Sequence, residues 1–172
     1  MTIPEKLIGF ECYNEGEHMT GIADVVLPNL AYMTETVAGA GIAGEFDTPT
    51  VGLFQSMTTT INWRVLMDEN VTFIAPRVYH FDFRGSKQFL NNAVGELEKQ
   101  MLKVVMRVLP KNLNLGNFQG GAQMGTSGEF EVLYIKITLN DRELVEIDKI
   151  NYKCIIDGVD YLETAAQHLG KR

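Results

Sequence analysis

The sequence predicts a mainly-β fold: antiparallel strands in a β-sandwich or barrel-like body, with one or two short helices and long glycine-rich loops. Three observations carry this. Phe130–Leu139 reads FEVLYIKITL, dense in the β-branched and aromatic residues that suit a pleated, half-buried surface. Leu53–Leu66 alternates in kind: Leu53, Gln55, Met57, Thr59, Ile61, Trp63 and Val65 form one face, and Phe54, Ser56, Thr58, Thr60, Asn62 and Arg64 the other. Period-two alternation is the mark of a strand with one wet face. Turn residues then punctuate the apolar runs, at Asn14-Glu15-Gly16, Pro28-Asn29, Asn140-Asp141 and Asp157-Gly158.

Taken in order, Leu7–Tyr13 predicts a strand, Met19–Leu27 a second and Leu30–Ala38 a third. Gly39–Gly52, with four glycines and Pro49, reads as a long loop; loops beyond about 12 residues in a compact domain usually have a function or are disordered. Leu53–Leu66 follows as a strand. Met67–Ala75 suits a short helix, stopped by Pro76. Arg77–Leu90 predicts another strand with a kink at Gly85, and Asn91–Gly95 a turn. Glu96–Leu109 fits both periods: Leu97, Met101, Val104, Val105 and Val108 have helical spacing, while Lys103, Val105 and Arg107 oppose Val104, Met106 and Val108 as on a strand. Its pattern leans to helix, and Pro110 ends it either way. Asn112–Gly128, glycine-rich and uncharged up to its end, reads as a second loop or a hairpin tip. Glu143–Ile156 alternates as the partner of Phe130–Leu139, a short strand follows the Asp157-Gly158 turn, and ETAAQHLG closes as a helix with Gly170 as its C-cap. The total is about nine strands.

The 172 residues fit one domain, 1–172, and a chain of this size buries about 70% of its unfolded surface, so no disulfide or metal is needed. Cys12 and Cys154 are too few for a disulfide framework and read as packed thiols of a reducing compartment. No secretory leader opens the chain and no apolar run is long enough to span a bilayer. The net charge of −7 argues against binding free nucleic acid through a basic surface. That charge is uneven. Residues 1–75 hold ten acids against Lys6 and Arg64, residues 76–127 hold seven bases against three acids, and residues 128–163 hold nine acids against four bases. Such blocks either pair within one fold or complement one another between copies.

Reaction chemistry does not emerge. Gly39-Ala40-Gly41-Ile42-Ala43-Gly44 matches G-x-G-x-x-G, but Glu45, Asp47 and Pro49 follow where a dinucleotide fold needs a helix N-terminus. No cofactor is expected. His80, Asp82 and Ser86 lie close along one strand, yet no nucleophile elbow accompanies them, and a polar strand face is the better reading. His18 and His168 have no ligand-spaced companions, so no metal site is expected. Asn70-Val71-Thr72 is a sequon without a secretory context. Lys99, Lys103, Arg107 and Lys111 recur every four residues, as a solvated face or as a contact between copies.

The chain resembles the tail tube proteins of contractile-tailed phages and R-type bacteriocins. IPEKL, VVLPNL, the GAGIAG loop, VVMR (Val104–Arg107), ELVEIDKIN and GVDYLE stand in the family's order and spacing, across nearly the whole chain. The resemblance implies a strand for Gln100–Leu109. It implies a non-enzymatic protein whose hexameric rings stack into a hollow tube inside a contractile sheath, with two hairpins per subunit joining neighbours into one lumen barrel. The implied partners are other copies, the sheath protein, and baseplate initiator and terminator proteins. DNA would cross a phage bore without specific binding, and ions or effectors a bacteriocin's. Assembly would take place in the bacterial host cytoplasm. On this reading Gly39, Gly41, Ile42, Gly44 and Phe46 form an inter-subunit loop, and Ser56, Thr58, Thr60 and Asn62 face the lumen. The rival from another class is a small-ligand-binding β-barrel, which needs an apolar inner cavity.

Overall fold

The computed structural model describes residues 1–172. The strands are β1 (Thr2–Asn14), β2 (Glu17–His18), β3 (Ile22–Val26), β4 (Tyr32–Ala38), β5 (Glu45–Phe54), β6 (Thr58–Trp63), β7 (Tyr79–Asn91), β8 (Glu96–Asn114), β9 (Thr126–Leu139), β10 (Arg142–Asp148), β11 (Lys153–Ile156) and β12 (Val159–Asp160). Helix α1 (Asp68–Val71) runs into a 3-10 turn at Thr72–Ile74, and α2 (Glu163–His168) lies near the C-terminus. Every strand pair is antiparallel. Ten strands share one sheet, while β4 and β5 form a separate two-stranded one.

The large sheet curls on itself, so the barrel-like form of the expected fold describes it better than two facing sheets. Along the sheet the order is β3, β6, β9, β8, β7, β1. Phe81 of β7 nonetheless meets Phe130 of β9 edge to face at 5.0 Å, although β8 lies between their strands. Phe73, from the 3-10 turn, touches the rings of Trp63, Tyr79, Phe81 and Phe130 and plugs the curl. Such aromatic pairs add about 0.5–1.5 kcal/mol each beyond area burial. Around them pack Met57, Ile61, Val104, Met106, Val108, Val132 and Ile135, so side chains fill the interior.

Several boundaries depart from the sequence reading. The loop expected over Gly39–Gly52 is short: Glu45–Phe54 is strand β5, paired with β4 from Ala38↔Glu45 to Tyr32↔Phe54. Pro49 and the glycines misled because a two-stranded hairpin has only edge strands, where Pro is tolerated. Leu53–Leu66 is two strands, not one, because the chain leaves the ladder between Phe54 and Thr58. Met19–Leu27 keeps only Ile22–Val26 as strand. Glu96–Leu109 is strand from its first residue, against its helical spacing. Nor does Pro110 end it: β8 continues to Asn114, with a ladder irregularity between Pro110 and Asn112 that accommodates the missing N–H. Glu143–Ile156 is broken at Asp148, whose Oδ1 accepts the N–H groups of Ile150 and Asn151 and turns the chain. The kink expected at Gly85 is displaced. Pairing of β7 with β8 runs unbroken through Gly85, and the irregularities lie on β1 between Pro4 and Gly9. Gly85 serves close approach instead, since a Cβ there would stand 2.9 Å from Leu7 Cδ1. Strands therefore number twelve rather than about nine.

Other expectations hold. Asn140 and Asp141 both have positive φ in the β9–β10 turn, as do Asp157 and Gly158 between β11 and β12. Gly170 closes α2: its N–H donates to the Gln167 carbonyl, and the Lys171 N–H to that of Ala166. The sequon residue Asn70 is buried and bonds the Val65 carbonyl and the Met67 N–H, so it caps α1 from inside.

The β4–β5 hairpin joins the body at its root. Gly52 has φ +72°, and a Cβ there would lie 2.5 Å from Leu162 Cγ. Gly52→Ala should therefore lower stability by about 1–3 kcal/mol, from left-handed strain and overpacking together, read as a lower urea midpoint. An unchanged midpoint would mean that Leu162 yields freely.

Candidate functional site

Two surfaces stand out, and both are built by the sheet geometry. The first is the projecting hairpin. Its tip, Gly39–Gly44, carries the glycines at Gly39, Gly41 and Gly44 in positive φ, which only glycine adopts without strain. A strand, not a helix, follows the tip, so the G-x-G-x-x-G match lacks the helix N-terminus that would hold a pyrophosphate. Val37 pairs with Phe46, placing both on one hairpin face, while Ala38, Glu45, Thr36 and Asp47 share the other. Phe46, Val51, Met33 and Ile42 are exposed. A lone two-stranded ribbon with exposed apolar side chains is marginal in water.

The second surface is the wet face of the curled sheet. Thr58, Thr60 and Asn62 of β6 pair with Glu131, Glu129 and Ser127 of β9, which pair in turn with Leu109, Asn112 and Asn114 of β8. The structure thus sets Thr58, Thr60 and Asn62, three of the expected lumen residues, beside β9 and β8 in one sheet. It corrects two details. Ser56 lies outside β6, in the break after Phe54, and its hydroxyl donates to Glu131 at 2.6 Å. The face is also charged, not plain and small: Lys111 reaches Thr58 at 3.0 Å and Glu131 at 3.6 Å, and Lys149 reaches Glu131 at 3.7 Å. Asn62 donates to Asp24, and Asn112 donates to Glu129 at 2.8 Å.

Further along the same face, cations meet anions one by one. Arg107 binds Asp148 at 2.7 Å and lies over the Tyr134 ring. Lys103 and Arg84 share Asp82, Lys153 binds Glu146, and Lys136 binds Glu143. Of the basic series, Lys103, Arg107 and Lys111 are paired within the chain, and Lys99 has no ion-pair partner. Burial pushes the Glu131 carboxyl up, but bonds from Ser56 and the Met57 N–H, with Lys149 and Lys111 nearby, outweigh it and hold the group below its ordinary range.

The remaining candidates do not converge. Asp82 is engaged by Arg84 and Lys103, and nothing joins it to His80 or Ser86. His18 pairs with exposed Glu11. No three His, Cys, Asp or Glu side chains gather as metal ligands. Sequence reasoning found the basic series Lys103, Arg107 and Lys111 but missed the acids that meet it, Asp82, Asp148 and Glu131, because these come from other strands whose register the sequence does not reveal.

A curled antiparallel sheet with a filled interior, a charged outer face and a projecting apolar hairpin is the architecture of a β-structural protein. The chain belongs to the family of phage tail tube protein FII, whose model matches residues 4–170. It is 28% identical over 180 residues to the tail tube protein of Escherichia phage P2, with 99% of each chain covered. Its fold is similar to a chain in the sheath/tube terminator structure of the extracellular contractile injection system PVC, with TM-score 0.55, 19% identity, and 78% of this chain and 96% of that chain covered.

Asp148 gives the wet face a pH signature. Burial pushes its carboxyl up, yet bonds from Asn151 and the Arg107 guanidinium prevail, so it titrates below its usual range. A lowered native pKa stabilises the fold above the unfolded value near 3.9 and is lost as pH falls through the native one. Arg107 is about a third exposed, so solvent screens the pair below the ~3–5 kcal/mol of a fully buried one. Arg107→Met should cost about 1–2 kcal/mol at pH 7, and the penalty should shrink by pH 3, measured by urea unfolding at both values. An equal penalty at both would assign the loss to packing instead.

Proposed function

We propose that this chain is a tail tube subunit, with residues 1–172 forming a single domain, whose copies close into hexameric rings that stack into a hollow tube within a contractile sheath. The match of the tube family model from residue 4 to residue 170 carries this reading. The phage P2 relative's name assigns that relative to a tail tube, and the fold is that of a chain in the PVC sheath/tube terminator structure. Other copies and a sheath protein are the main partners, with baseplate initiator and terminator proteins at the tube's ends. The particle is assembled in the bacterial host cytoplasm. The role is structural, with no catalytic step. No helix is long and apolar enough to cross a membrane.

Within the tube, Thr58, Thr60 and Asn62 line the bore together with the wet faces of β8 and β9, and Ser56 lies at its margin. A bore that passes DNA must not grip phosphate. Cations already held by carboxylates gain little by releasing counterions to DNA. Lys103, Arg107, Lys111, Lys136, Lys149 and Lys153 each have such a partner. A bacteriocin or injection-system tube would pass ions or effectors over the same face. The ligand-barrel alternative needs an inner chamber, whereas Phe81, Met106 and Ile61 occupy this interior.

Light scattering on the purified protein should reveal species well above 19.3 kDa as concentration rises, with rings or tubes in negative stain. A strict monomer at high concentration and moderate salt argues against the tube.

The bore assignment has its own test. Thr60 is part-buried and makes no side-chain hydrogen bond, so Thr60→Cys removes none. The native thiols give little background: burial, with Glu11 beside it, pushes Cys12 up to about 12, and burial raises Cys154 too. The new thiol should react with small and bulky maleimides in the free subunit, and with small ones alone in tubes. Protection from both in tubes would place this face against a neighbour rather than in the bore.

A further inference from the structure

The curled sheet does not close, and its open seam has the character of a receptor. Strand β1 is paired on one edge with β7 and on the other only at Tyr13 and Asn14, with β2. Strand β3 is paired only with β6. The two strands end the sheet on opposite sides and leave a slot between them, lined by Leu7, Phe10, Val25, Leu27, Phe83 and Leu102, with Arg84 and Asp24 at its rim. The slot holds about 150 Å³, below the ~300 Å³ floor for small-molecule sites but suited to one large side chain. Unpaired backbone on both banks is a template for another strand.

We propose that the β4–β5 hairpin of one copy seats in the β1–β3 slot of a second copy, with Phe46 as the apolar anchor. This rests on the tube reading above and names the surface that receives the hairpin. Three observations select the occupant. The hairpin presents Phe46 and Val37 side by side on one face, with Phe46 more than half exposed. Both of its outer edges are unpaired. Its charge is also complementary. Residues 32–54 carry Glu35, Glu45 and Asp47 and no base, whereas Lys6 and Lys87 line an open cavity of about 630 Å³ that shares Leu7 and Leu102 with the slot. Neither lysine is among the residues that form ion pairs in the subunit. Asp24 does not spoil this match, because Asn62 donates to it. The hairpin supplies negative charge and an aromatic anchor; the slot supplies an apolar recess, and the adjoining cavity supplies Lys6 and Lys87 beside Glu5, whose carboxylate accepts from Gln88. Burying Phe46 there removes an exposed ring from water on one copy and covers Leu7, Phe10 and Leu27 on the other.

The test uses two singly substituted full chains, Thr48→Cys on the Phe46 face of the hairpin and Leu27→Cys at the exposed edge of the slot. Mixed at assembling concentration with a short bis-maleimide, they should give a covalent dimer that neither gives alone. Adding Phe46→Ser to the Thr48→Cys chain should reduce its yield at least fivefold while circular dichroism stays native. A dimer without tubes would support the docking and defeat the tube reading. Tubes without the dimer would place the hairpin elsewhere, overturning this proposal and leaving the tube intact. Neither tubes nor dimer would overturn both.

Discussion

Strand β9 serves three neighbours with two edges, and the architecture depends on how it does so. One edge pairs with β8 from Ser127 to Leu139. The other edge is divided: residues 126–131 pair with β6, and residues 134–139 with β10. At the hand-over the Val132 N–H donates to the Met57 carbonyl at 2.8 Å, and the Leu133 carbonyl accepts from Lys149 at 3.2 Å. The ladder therefore branches without leaving these buried backbone groups unpaired, which would cost about 1–3 kcal/mol each. The branch sends β6 and β3 one way and β10, β11 and β12 the other. It thereby bends the sheet around Phe73 and sets the slot between β1 and β3.

Much of this was legible because it is local. The alternation of Thr58–Trp63 gave the correct faces: Met57, Thr59, Ile61 and Trp63 are buried, while Thr58, Thr60 and Asn62 remain partly open. Positive φ at Asn140, Asp141 and Gly158 follows from their residue types. What the sequence hid is non-local. Pro110 within β8 and Pro49 within β5 look like breakers, and only the neighbouring strand shows that one sits at an irregularity and the other on an edge. Helical spacing in Glu96–Leu109 arises because valines occupy both faces of a strand whose wet side is half covered by ion pairs. The family resemblance supplied the strand there, not the periodicity. Of the residues proposed for assembly, the glycines of the tip, Ile42 and Phe46 could be named from the sequence, but that Phe46 stands on a strand beside Val37 needed the hairpin register.

The charge blocks read from the sequence turn out to be divided between two uses. The middle basic block meets acids of the following block within the subunit, as Arg107 with Asp148 and Lys111 with Glu131, while Lys103 meets Asp82 of its own block. These pairs cross between strands and pin the register of the branched sheet, although each exposed one adds less than about 1 kcal/mol. Outside these pairs stand Lys6, Lys87 and Lys99 on one side and the acids of the hairpin on the other. Internal neutrality on the wet face and opposite charge at the hairpin and slot are thus two outcomes of one composition.

The root of the hairpin links it to the chain's far end. Gly52 rests on Leu162, the N-cap residue of α2. Beyond α2, Arg172 is fastened to Asp160 at 2.5 Å and to the Tyr152 carbonyl at 2.6 Å, while Lys171 lies over the Tyr152 ring. The hairpin is therefore a lever whose fulcrum is Leu162, and the C-terminal residues hold that fulcrum in place. Its direction is set about 120 residues away from its tip in sequence, by a clasp that Arg172 completes.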